Sequence, residues 1–195
     1  MFRRDFLLGL GAATMILPRG ALALSEAGAK RLIDSVISDI NAVIASGKSE
    51  RAMYRDFERI FARYSDTAYI SAYAMGVDAR RATAAQKRAF SYAFQTYIAR
   101  KYGKRFREFI GGRLEVTGVS RVKTWYEVKT IAYLRGEAPF EVTFHVSDRT
   151  GQHLFFNMYI EGINLLLTER SEIGALIDRN GGSIDRMIAA LRQAA

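Results

Sequence analysis

The hydrophobic period of this chain changes at a pair of glycines. Up to Ile110 the large apolar residues recur every three to four positions, and beyond Gly111-Gly112 they alternate. The first spacing lays them along one stripe of a helix, and the second puts them on one face of a strand. The chain up to about residue 160 must therefore fold as a block of helices followed by a block of strands. Four strands follow one another with no helical pattern between them, so an antiparallel meander with one buried face is the simplest arrangement.

The helical block divides at its capping residues. Residues 25–47 read as a helix capped by Ser25, striped by Leu32, Val36, Ile40 and Val43, and stopped by Gly47. Ser49 opens a second helix, 50–64, with Met53, Phe57, Ile60, Phe61 and Tyr64 on its apolar side. A short third helix, 66–76, carries Ala68, Tyr69, Ala72, Tyr73 and Met75 and ends at Gly76. Thr83 and Gln86 make a T-x-x-Q capping box. They open the longest helix, 84–110, whose stripe is strongly aromatic: Phe90, Phe94, Tyr97, Ile98, Tyr102, Phe106 and Ile110.

In the strands, the inward residues are expected to be Leu114, Val116 and Gly118, then Tyr126, Val128, Thr130, Ala132 and Leu134. Phe140, Val142, Phe144 and Val146 follow, then Leu154, Phe156, Met158 and Ile160. "RGEAP" (135–139) and "DRTGQ" (148–152) read as turns. The opposite parity holds Trp125, Ile131, Tyr133, Phe155 and Tyr159, so the second face is either partly covered by the C-terminal helices or free for contact. A helix over 164–179, a break at Asn180-Gly181-Gly182 and a final Ser183-capped helix to Arg192 complete an α+β layout.

The first 23 residues read as an address. Arg3 and Arg4 precede an apolar run, Phe6 to Leu17, that is too short for the roughly 20 residues of a spanning helix. Pro18 breaks the run, and Ala21-Leu22-Ala23 supplies an A-x-A cleavage pattern. "RRDFLLG" also resembles a twin-arginine export signal, with Phe2 where Ser or Thr is usual, so both that route and ordinary Sec export fit. Cleavage near Ala23 leaves residues 24–195 as one domain. The whole chain carries a net charge of +9, of which Arg3, Arg4, Arg19 and Asp5 take +2 with the leader; outside the cytoplasm the remaining basic excess points to anionic lipid headgroups or acidic partners instead of nucleic acid. There is no cysteine, hence no disulfide and no thiol chemistry.

A search for chemistry returns little. His145 and His153 lack a third ligand at metal spacing, and each reads as an ordinary surface histidine. There is no G-x-S-x-G elbow and no P-loop. Glu161 is the one acid inside a strongly apolar stretch. It reads as a general base without a positioned partner, or as a turn or salt-bridge residue before Gly162. The aromatic excess reads as packed core or as the lining of an apolar ligand cavity.

Two stretches carry a family resemblance. "YAMGVDARRATAAQKRAFSYAFQTYIARKY" (73–102) resembles the MlaC family of toluene-tolerance and transporter-auxiliary proteins, with Ala74, Met75, Gly76, Arg81, Ala82, Thr83, Gln86, Phe90, Phe94, Tyr97, Ile98 and Tyr102 matching in order. "NMYIEGINLLLTERSEIGALIDRNGGSIDRMIAAL" (157–191) is similar to its C-terminal signature at Glu161, Gly162, Ile163, Arg170 and Gly182. Ala79 or Arg80 stands where the family often has Trp, Asn157 replaces Asp, Asn164 replaces Ser, and the strand usually written W-x-V begins here as His153-Leu154-Phe155. The hopanoid-associated HpnM branch is similar over the same span.

The resemblance implies a MlaC-like fold, NTF2-like in outline, and a non-enzymatic periplasmic lipid carrier without a cofactor. Such a carrier holds phospholipid or hopanoid in an apolar pocket. It passes lipid between an outer-membrane lipoprotein complex and an inner-membrane MCE-domain/ABC transporter, touching membranes only transiently. The pocket candidates are Phe90, Phe94, Tyr97, Val116, Val128, Val142, Phe144, Phe156, Met158 and Ile160, and the headgroup or partner candidates are Arg80, Arg81, Arg100 and Lys101. The alternative from another class is a small exported hydrolase or isomerase using Glu161 or His145.

Overall fold

The computed structural model describes residues 25–104, 112–134 and 136–194. The expected leader at 1–23, the expected continuation of the long helix to Phe106 and Ile110, and Arg135 lie outside the described residues. The helical block comprises α1 (Glu26–Ala45), α2 (Glu50–Tyr64), α3 (Thr67–Met75), a 3-10 turn (Gly76–Arg80) and α4 (Ala84–Gly103). The sheet holds β1 (Arg113–Val122), β2 (Trp125–Tyr133), β3 (Phe140–Ser147), β4 (Leu154–Ile160) and β5 (Ile163–Asn164), followed by α5 (Leu165–Arg179) and α6 (Ile184–Ala194).

All neighbouring strands pair antiparallel in the order β1-β2-β3-β4-β5. The sheet therefore has five strands where the sequence suggested four. The fifth is two residues long and is made by a tight hairpin. Glu161 and Gly162 take φ values of 50° and 79° between the paired Ile160 and Ile163. Two successive positive φ values are the signature of a type I′ turn, whose twist suits a two-residue hairpin. A two-residue strand has too little periodicity to be seen in a sequence.

Two bulges correct the strand parity. The register of β1 shifts between Val116 and Gly118, so Val119 faces Val128 and packs on the core while Gly118 opposes Lys129. In β4 the shift sets Phe155 opposite Val146 and Met158 opposite Phe144, leaving Phe156 as the extra residue. Phe155, expected on the outer face, thus turns inward and meets Phe144 edge-on at 5.9 Å. A bulge adds one residue to one strand, and every later side chain changes face.

The core lies between the inner sheet face and the helices. Ile33, Val36, Ile37, Ile40 and Val43 of α1 are buried, with Ile33 rather than Leu32 at the centre of the stripe. The Ser25 side chain accepts from the Gly28 amide at 3.0 Å and starts α1. Ser49 occupies the corresponding position of α2 but makes no side-chain cap bond. α4 opens with the full capping box: Gln86 N donates to Thr83 Oγ1 at 3.1 Å, and Thr83 N donates to Gln86 Oε1 at 2.9 Å. Thr83→Ala is expected to cost about 1 kcal/mol of stability, read as a fall of roughly 2–4 °C in melting temperature. Thr83→Ser should recover most of it.

The edge of β4 is closed at both ends. β5 pairs with Tyr159 and Ile160, and Asp66 N donates to Phe155 O at 2.8 Å beside a parallel bridge between Ser65 and Phe155. An open edge would offer unpaired amides to other chains, and these two short pairings remove much of it.

Candidate functional site

A cavity of about 480 Å³ opens between the inner sheet face and the helices. α1 contributes Val36 and Ile40, α2 contributes Phe57, Ile60 and Phe61, and α4 contributes Phe94, Ile98, Ala99 and Tyr102. The sheet supplies Leu114, Val142, Phe144, Phe155, Met158 and Ile160. The hole exists because the facing layers leave space between large side chains that each element buries for its own reasons. Among the described residues its polar borders are Glu137, Asn157, Glu161, Glu169 and the Tyr102 hydroxyl, with no lysine or arginine. Glu137, Ala138 and Glu161 are exposed and mark where it meets solvent. A concave, mostly apolar site with a few polar groups is the usual form of a small-ligand site.

One polar network stands against this wall. Glu169 on α5 is 3% exposed. Its Oε1 accepts from Tyr102 Oη at 2.6 Å and from Lys101 Nζ at 2.7 Å. Lys101 Nζ also donates to Glu172 Oε2 at 2.7 Å, and Tyr97 Oη donates to the same oxygen at 2.8 Å. Burial and the neighbouring carboxylates push the Tyr97 hydroxyl up to about 12 and push Tyr102 upward as well. Burial alone would lower Lys101, but its hydrogen bonds to Glu169 and Glu172 outweigh that and hold it above the ordinary lysine range. The hydrogen bonds of Tyr97, Lys101 and Tyr102 to Glu169 and Glu172 clamp α4 to α5. Asn157 adds a second tie: its Oδ1 accepts from Leu166 N at 3.3 Å in the first turn of α5.

The family model of the MlaC protein matches residues 30–193. This chain belongs to the MlaC family. A solved structure of similar shape is that of a phospholipid-binding protein from Ralstonia solanacearum in complex with a phospholipid. It superposes with a TM-score of 0.72 at 17% sequence identity, over 85% of this chain and 96% of its own. At that identity the match establishes the shared α+β fold.

In this family member the ten apolar residues read from the sequence separate into two groups. Phe94, Val142, Phe144, Phe156, Met158 and Ile160 border the cavity. Phe90 and Val128, both 0% exposed, are packed core outside it. Val116 packs on the core, and Tyr97 turns its hydroxyl to Glu172. Phe156 borders the cavity from the bulge, yet its ring meets Trp125 at 6.1 Å and His145 at 5.7 Å on the other face. The α1 and α2 residues of the wall were visible only as ordinary helix stripes.

None of the four basic candidates borders the cavity. Lys101 is committed to Glu169 and Glu172. Arg81 bonds Asp78 and the Gly182 carbonyl, the latter at 2.6 Å. Arg80 is exposed on the 3-10 turn. Arg100 lines a separate groove between α2 and α4 with Arg51, Arg55, Lys104 and Arg192, alongside Glu50 and Glu58.

The two residues of the hydrolytic alternative are not brought together. Glu161 sits in the β4–β5 turn at the cavity rim. His145 does not face solvent as expected. It is 9% exposed among Trp125, Phe156 and Tyr159 on the outer face, 3.4 Å from Glu127. Burial lowers its affinity for a proton, and Glu127 opposes that in part. Tyr69 of α3 extends this aromatic cluster, meeting Phe156 edge-on at 5.7 Å.

Proposed function

We propose that this protein is a periplasmic lipid carrier, exported by residues 1–23, that holds the acyl chains of a phospholipid in the cavity beneath the sheet. It would pass its cargo between an outer-membrane lipoprotein complex and an inner-membrane MCE-domain/ABC transporter. The observation that carries this reading is the apolar cavity of about 480 Å³, bordered by eight aromatic residues from the helices and the sheet. Membership in the MlaC family and the phospholipid held by the similar Ralstonia protein support it. Each methylene moved from water into such a wall contributes about 0.8 kcal/mol, so an aqueous carrier needs no covalent chemistry to hold its cargo. The base-rich groove of Arg51, Arg55, Arg100, Lys104 and Arg192 would serve docking on acidic partner surfaces.

Native mass spectrometry of the purified protein is expected to show a phospholipid mass that survives gentle desolvation. The stripped protein should extract lipid from vesicles. A protein that is empty as purified and extracts nothing overturns the carrier reading. A bound lipid without phosphate would keep the carrier and change its cargo.

A further inference from the structure

The mouth of the cavity carries two large apolar side chains that the fold does not bury. Ile163 is 60% exposed and Leu167 is 51% exposed. In sequence they flank Leu165, which borders the cavity, and follow Glu161 on its rim. Register decides which way Ile163 points. It pairs directly with Ile160 across the β4–β5 turn, and directly paired residues of an antiparallel ladder share a face. Ile160 is on the cavity wall. The next pair, Tyr159 and Asn164, takes the opposite face, where Asn164 Nδ2 donates to Tyr159 Oη at 2.9 Å. Ile163 therefore continues the apolar inner face past the point where the cavity meets solvent.

Local structure gives no reason for this exposure. Asn164 caps α5 by accepting from Leu167 N at 3.1 Å, so Ile163 is the residue before the cap. An apolar residue there often packs against one at the fourth helical position. Here that position is Thr168, and Ile163 stays in water. The segment is also well anchored, since the Leu166 amide donates to Asn157 Oδ1 in β4. The pair is presented by a fixed turn.

We infer that Ile163 and Leu167 are a bilayer contact, which dips into a lipid surface when the mouth takes up or releases an acyl chain, so that the chain passes between membrane and cavity without crossing water. This rests on the carrier reading above. Two aliphatic side chains at a tight turn fall far short of the roughly 1,000 Å² that a specific protein interface buries. Such interfaces also draw their energy from Trp, Tyr and Arg more than from Leu. A lipid surface needs no matching shape, and Ile and Leu enter it readily. Glu137 and Glu161, exposed on the same rim, would repel an anionic surface at this point. The surface that fits is zwitterionic.

The test times the uptake of a fluorescent phospholipid by the stripped full-length mature protein from phosphatidylcholine vesicles. Ile163→Ser/Leu167→Ser is expected to slow uptake roughly tenfold, because two aliphatic side chains no longer leave water at the contact. Its lipid load as purified and its melting temperature should match wild type. Tyr92→Ser removes a comparably exposed large side chain from the groove between α2 and α4 and should leave the rate unchanged. Ile163→Trp keeps an apolar contact and adds a reporter. Its emission should shift to the blue when vesicles are added, beyond any change from Trp125 in wild type, and this arm does not depend on the double variant folding. Wild-type uptake by the double variant, an equal slowing in Tyr92→Ser, or no blue shift in Ile163→Trp overturns the assignment. So does a wild type that co-purifies with lipid but takes none from vesicles, which would point to handover through a protein port and leave the carrier reading standing. A wild type that is empty as purified and takes up nothing overturns the carrier reading itself, and the assignment with it.

Discussion

Ile160→Asp is expected to lower lipid retention at least 100-fold while the protein stays folded. Ile160 is half-buried near the end of β4, opposite Val142, with its side chain on the cavity wall. In the empty protein, water can reach a carboxylate there. An acyl chain laid over it would strip that water, and burying an unpaired charge costs several kcal/mol. A 100-fold loss corresponds to about 2.8 kcal/mol. Ile160→Trp tests the same wall by bulk and should also displace lipid. Phe90→Leu is the contrasting variant, because Phe90 is fully buried but outside the cavity. It should cost about 1 kcal/mol of stability and leave the lipid load unchanged. Lipid-to-protein ratio and thermal unfolding, measured on all three, check the set. Wild-type retention in Ile160→Asp would place the lipid elsewhere. Parallel losses in Ile160→Asp and Phe90→Leu would mean that retention merely follows stability.

The sequence revealed most of the layer order and rather less of the cavity. Periodicity located the helices, because stripes such as Val36, Ile40 and Val43 repeat over several turns. Capping chemistry placed the start of α4 at Thr83. Alternation identified β1 to β4. It could not show the bulges at Val116/Gly118 and at Phe156, since a bulge is a property of pairing with a neighbour. One such bulge decides which of Phe155 and Phe156 turns its ring to the cavity. The distinction between cavity and core is harder still. Phe90 and Phe94 lie one turn apart on the same stripe and are equally buried, yet Phe94 borders the hole and Phe90 does not. Cavities arise where facing layers fail to interdigitate, and no single element records that. Glu169 went unnoticed for a related reason. It sits in "LLLTERSEIG" among other polar residues, and only the tertiary fold, which brings Lys101 and Tyr102 of α4 to it, shows that it is buried.

The strongest stability effect outside the hydrophobic core is expected at Asp66. This residue is 5% exposed, and each of its polar groups has a different task. Oδ1 accepts from Tyr69 N at 3.0 Å and caps α3. Oδ2 accepts from Arg149 Nε at 2.8 Å. The Arg149 guanidinium lies over the Tyr69 ring at 3.6 Å and over Phe156 at 4.8 Å. The carboxylate thus fixes the start of α3 and, through Arg149, the β3–β4 connection. Asp66→Ala should cost about 1 kcal/mol for the lost cap. The ion pair adds about 1 kcal/mol more, a modest figure because the Arg149 side chain is 39% exposed and partly screened by water. The sum predicts a fall in melting temperature on the order of 5 °C. Asp66→Asn keeps a capping oxygen and loses the charge, so it should fall about half as far. If Asp66→Ala melts within a degree of wild type, α3 is held by its apolar contacts alone. The effect should also reach the cavity. The Asp66 amide binds the carbonyl of Phe155, whose ring meets Phe61 and Phe144 in the wall. Loosening that amide frees the strand edge beside the bulge, so Asp66→Ala should release lipid faster than Thr83→Ala, whose cap lies on an exposed turn away from the cavity.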